Sequence, residues 1–105
     1  MKHLLAPATL LLLTVLGASS AEAHTPLFDC FEEDEAMIVC EAGFSDGASA
    51  EGIDVRVLNA QGRVLQQDKI GTDGSVHFDR PDEEYSVMFM AGEEHNITVI
   101  GDDIY

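Results

Sequence analysis

The chain has 105 residues, with 5 lysines and arginines against 20 aspartates and glutamates, a net charge of −15 and an isoelectric point near 4.2. A chain of this length builds one small domain. Its charge repels phosphate backbones and anionic lipid headgroups while attracting cations or basic partners, so no nucleic-acid partner is expected.

Residues 1–23 read as an export signal. Lys2 gives a positive start, residues 4–16 are apolar apart from Pro7, Thr9 and Thr14, and small residues lead into Ala21-Glu22-Ala23, a cleavage pattern. The apolar run falls short of the roughly 17–25 residues of a spanning helix. Nothing later is hydrophobic enough to span, so the mature chain is expected in the periplasm or outside the cell and not in the membrane. Cleavage after Ala23 makes His24 the first residue of a single mature domain, residues 24–105.

Residues 27–31 (LFDCF) are expected as a first strand and residues 36–44 (AMIVCEAGF) as a second, around an acidic turn at 32–35. Cys30 and Cys40 are the only cysteines. Export places them in an oxidising compartment, and a domain this small gains from a staple. Setting them opposite one another centres the turn near Glu35 and gives a Cβ spacing a disulfide accepts. A Cys30–Cys40 bond is therefore expected. The competing reading, two thiolate metal ligands, suits a reducing compartment better.

The rest alternates short β runs with turn chemistry. Residues 45–52 form a Gly/Ser/Asp-rich loop, and 53–59 (IDVRVLN) a third strand. A tight turn at 60–62 leads into 63–70 (RVLQQDKI). The turn at 71–74 leads into 75–80 (SVHFDR), the Pro81 corner into 85–90 (YSVMFM), and the turn at 91–94 into 95–101 (HNITVIG). No segment after residue 23 keeps a helical period. The fold class is all-β, an immunoglobulin-like antiparallel sandwich of about seven strands. Period two within each strand selects a core of Ile38, Cys40, Ala42, Phe44, Ile53, Val55, Val57, Val76, Phe78, Tyr85, Val87, Phe89, Ile97 and Val99.

"TDGSVHFDRPDEEYSVMFMAGEEHNITV" (72–99) resembles the Thr-Asp, Gly-x-Phe-x-Phe, Tyr-x-Val-x-Phe-x-Ala-Gly and His series of transthyretin-like and carboxypeptidase-regulatory-like β-sandwich modules. "GFSDGASAEGIDVRVLNAQGRVL" (43–65) looks like the strands that precede it there. With "AHTPLF" at its start, the mature chain resembles small exported proteins associated with nickel or cobalt uptake, whose mature chains begin with histidine. The resemblance implies an accessory protein that binds a transition-metal ion and works beside a membrane transport protein.

The chemistry of an opening histidine points the same way. The α-amine and Nδ1 of His24 can close a six-membered chelate on Ni²⁺, Co²⁺ or Cu²⁺. Pro26 has no amide proton, which argues against a site built from successive backbone amides. Side chains from elsewhere are expected to complete the sphere. Strands that reverse at each turn place the start of the first strand at the same pole as the loops 45–52, 71–74 and 91–94. His95, Glu93 and Asp73 are the candidate ligands, with Asp46 and Glu51 at that end too. His77 lies between Val76 and Phe78 and points off the core face, so it is assigned to the sheet surface. No nucleophile elbow, calcium loop or phosphate loop is present. A binding protein is expected, not an enzyme. The alternatives are a metal-free immunoglobulin-like interaction module of the cell envelope and an oxidase built on the same histidine chelate.

Overall fold

Seven strands form among the described residues, each within one or two residues of the run that alternation marks out. They are β1 Pro26–Glu32, β2 Met37–Phe44, β3 Asp54–Asn59, β4 Val64–Lys69, β5 Ser75–Asp79, β6 Tyr85–Phe89 and β7 Ile97–Ile100, followed by a 3-10 turn at Gly101–Asp103. The computed structural model describes residues 25–105. The expected export signal and His24 lie outside the described residues. No helix among the described residues is long and apolar enough to cross a membrane.

Two antiparallel sheets pack face to face, one ordered β1-β2-β5 and the other β4-β3-β6-β7. In an immunoglobulin constant-type sandwich the fourth strand joins the sheet of the first, second and fifth. Here β4 stays beside β3. The reason lies in the turn between them, where the Asn59 side chain accepts from the backbone N–H groups of Gln61 and Arg63. Gly62 supplies the positive φ (84°) that closes the turn. So tight a hairpin leaves β4 no length in which to change sheets. The change falls later, at residues 70–74. Ile70 still pairs with the β3 side, through Gly52 N–H to Ile70 O (2.8 Å) and Ile70 N–H to Ile53 O (2.9 Å). Its side chain then turns inward and is buried.

Alternation builds the core directly. Ile38 and Cys40 on β2, with Val76 and Phe78 on β5, face Val55 and Val57 on β3 and Val87 and Phe89 on β6; all eight are buried. Phe28 stacks on Phe89 with ring centroids 4.9 Å apart and planes 6° from parallel, a contact worth about 0.5–1.5 kcal/mol beyond its buried area. The other six predicted core residues, Ala42, Phe44, Ile53, Tyr85, Ile97 and Val99, pack against this cluster while partly exposed. Ala50, Ile70 and Ile104 are buried as well. They lie in connections and at the chain end, where strand period carries no information.

Cys30 and Cys40 sit directly opposite in the β1–β2 register and are joined by a disulfide on the inner face. The acidic turn between these strands is closed by Asp34, whose Oδ1 accepts from Ala36 N–H (2.7 Å) and Met37 N–H (3.0 Å). The two sheets are also linked at the β4–β5 edge. The Gln66 amide donates to Asp79 O (2.8 Å) and accepts from Asp79 N–H (3.0 Å), taking the place of a neighbouring strand.

Candidate functional site

Because β1 to β7 are antiparallel throughout, their ends alternate between two poles. At the pole where β1 begins, Thr25 C=O accepts from Ser45 N–H (2.8 Å). Thr25 N–H in turn donates to Ser45 Oγ (3.2 Å). This pair continues the β1–β2 ladder one step past Pro26↔Phe44. It fixes the residue that follows His24 in sequence against the β2–β3 loop.

That loop then folds back. Phe44 N–H donates to Ala48 O (3.2 Å) and Gly47 N–H to Phe44 O (2.8 Å). Asp46 Oδ1 accepts from Ala48 N–H (3.0 Å). Across from it, the β6–β7 turn is shaped by Gly92, whose φ of 127° suits glycine alone. Gly92 N–H is held by Asn96 Oδ1 (3.0 Å), and His95 N–H donates to Gly92 O (2.8 Å). The two loops border an open cavity of about 220 Å³ lined by Phe44, Ala48, Ala91 and His95. Three walls are apolar and the fourth is an imidazole. The His95 side chain is exposed, and among the described residues it has no hydrogen-bond or ion-pair partner. A ring left free in this way can take up a metal ion.

The other candidates are placed differently. Glu93 is exposed in the same turn as His95. Asp73 shares the pole but sits at the β4–β5 corner, whereas the cavity lies between the β2–β3 and β6–β7 loops. Its carboxylate accepts from Ser75 N–H (3.0 Å) and from the Ser75 hydroxyl (2.9 Å). Those bonds hold its pKa below the ordinary aspartate value. Asp73 is thus a turn cap. Among the described residues, no group of three or more His, Cys, Asp or Glu is gathered closely enough to hold a metal ion. His95 stands as one donor beside an apolar wall, with Glu93 exposed in the same turn. His77 is exposed on the outer face of β5, with Nε2 3.5 Å from Glu33 Oε1, as its place between Val76 and Phe78 predicts.

A larger cavity of about 500 Å³ opens at the opposite pole, lined by residues 80–85, Gly101 and Asp102. It is walled mainly by carboxylates. Burial pushes the Tyr85 hydroxyl above its ordinary pKa there. We favour the smaller cavity as the candidate site, because it joins a free imidazole to the strand end that His24 precedes. Counting strand reversals in the sequence placed His95 at this pole, where the structure has it. It missed Phe44, Ala48 and Ala91 as cavity walls, and the only available sign was the glycines that fold both loops inward.

No protein-family model matches this chain, and no match is found among curated proteins or among solved structures.

Proposed function

We propose that the chain is an exported accessory domain that captures a transition-metal ion of the nickel or cobalt type and passes it to a membrane transport protein. The ion is cargo. Capture rests on the α-amine and Nδ1 of His24, freed by cleavage after Ala23, with the imidazole of His95 as a second point of attachment. Glu93 and water are available to complete the sphere. The observation that carries this reading is the Thr25–Ser45 hydrogen-bond pair at the pole where the imidazole of His95 stands without a partner. The carboxylates raise the local concentration of cations, an effect screened beyond about 8 Å at physiological salt.

The test is a calorimetric titration of the exported protein with Ni²⁺, Co²⁺ and Cu²⁺, after mass analysis of its first residue. Amine and imidazole must lose protons to bind metal. Their ordinary pKa values are about 7.7–8.0 and about 6.5, so affinity should fall steeply from pH 8 to pH 6. His95→Ala should weaken binding by on the order of 10- to 100-fold, the range seen when a metal site loses a supporting group. His77→Ala should leave it unchanged. One extra residue ahead of His24 should abolish high-affinity binding. Equal binding by that extended protein, or by His24→Ala, would overturn the proposal.

A further inference from the structure

The positive charge of this acidic chain is gathered on one hairpin. Between Ile53 and Ile70 lie Arg56, Arg63 and Lys69 against only Asp54 and Asp68. The other eighteen carboxylates face just Lys2 and Arg80 in the rest of the chain. Val55 and Val57 point into the core, so Arg56 between them points out of the β4-β3-β6-β7 sheet. Its cross-strand neighbours are Gln67 and Met88, and Met88 pairs in turn with Thr98. The next row along is Val64, Leu58, Ser86 and Ile100. Val64 is 45% and Ile100 49% exposed.

Arg56 is the unusual member. Lys69 is paired with Asp54 at 2.8 Å and Arg80 with Glu32 at 2.9 Å. Among the described residues Arg56 makes no ion pair, although, after the Lys69 hydrogen bond, its charge helps lower the pKa of Asp54 two residues along, and its Nε is buried without a hydrogen-bond partner. A planar guanidinium is built to take a carboxylate through two parallel bonds. Arginine and methionine are also the residues enriched in protein interfaces, where lysine and the acids are depleted. The outer face of the other sheet also has apolar members, Leu27, Phe31, Met37 and Val39, but its charged residues are the carboxylates Asp29, Glu41 and Asp79, with His77 and no arginine or lysine.

We propose that the outer face of the β4-β3-β6-β7 sheet docks a partner protein that presents a carboxylate flanked by apolar side chains. The carboxylate meets Arg56, and the apolar flanks cover Leu58, Met88 and Ile100. A second copy of this chain fits less well. Two molecules each bearing −15 repel, and contact between unlike faces would not close into a dimer. This inference does not depend on metal binding.

The test uses the exported, disulfide-bonded protein with ¹³C-labelled methyl groups, titrated with a blocked Val-Glu-Val-Glu-Val peptide and its lysine counterpart. The glutamate peptide should shift the methyls of Leu58, Met88 and Ile100 and leave Met37 and Val39 unmoved. Arg56→Gln should weaken that binding at least tenfold. Arg56→Lys, which keeps the stem and the charge, should weaken it less and serves as the variant if the glutamine form does not fold. Equal shifts with the lysine peptide, shifts centred on Val39, or unchanged binding by both variants would overturn the proposal. Sedimentation equilibrium provides the last arm, where self-association lost in either Arg56 variant would make a second copy the occupant and the proposed partner wrong.

Discussion

A methyl group at position 101 would lie 2.8 Å from both the ring and the carbonyl oxygen of Tyr85. Glycine there lets the chain turn over the tyrosine and bring Ile104 into the core. Gly101→Ala is expected to cost about 1–3 kcal/mol, as overpacked sites do, measured as a shift of the urea midpoint at unchanged slope. Two aspartates are held below the ordinary aspartate pKa. The Ser75 hydrogen bonds depress Asp73, and the hydrogen bond from Lys69 depresses Asp54. A depressed folded-state pKa contributes stability above the unfolded value of about 3.9 and loses it as pH falls through the folded value. Stability should therefore decline below about pH 4, and Asp73→Asn should flatten part of that decline in urea titrations run from pH 5 to pH 2. An unchanged profile would mean the Ser75 turn contributes nothing to the acid response.

The strands are the most legible level of this molecule. Val55–Val57 and Val87–Phe89 alternate so regularly that their bounds and inner faces could be read without coordinates, and Cys30 and Cys40 set the β1–β2 register by themselves. The sheet to which β4 belongs could not be read, because alternation is the same on either sheet and the decision lies in the Asn59 turn and the late crossover at Ile70. The disulfide is the strongest local constraint on the first hairpin. Closing a loop of this size constrains the unfolded chain by about 3 kcal/mol. Reduction, or Cys30→Ala with Cys40→Ala, is expected to lower stability by about 2–4 kcal/mol in denaturant melts. A loss below about 1 kcal/mol would show that β1 is held by packing on Phe89 and not by the staple.

Across the whole molecule, the proposed metal site lies at one pole and the proposed docking surface on one sheet face. One pole carries the Thr25–Ser45 clamp and the His95 cavity, while the other carries the acidic turns and the cavity beside Tyr85. Strand counting was enough to put His95 and Asp73 at the first pole. It could not separate them within that pole, since lateral position follows from which loops fold together, and Asp73 caps its own turn at the β4–β5 corner. The central claim is that the metal sits at the His95 pole and not over the carboxylates at large. Paramagnetic line broadening by one equivalent of Cu²⁺, read across the assigned spectrum of the exported protein at pH 7.5, tests this most directly. Thr25, Ser45, Ala48, Ala91 and His95 are expected to broaden first, with residues 33–36 and 82–84 unaffected. Broadening centred on Asp82, Glu83 and Asp102, or spread evenly over the acidic surface, would contradict the central claim.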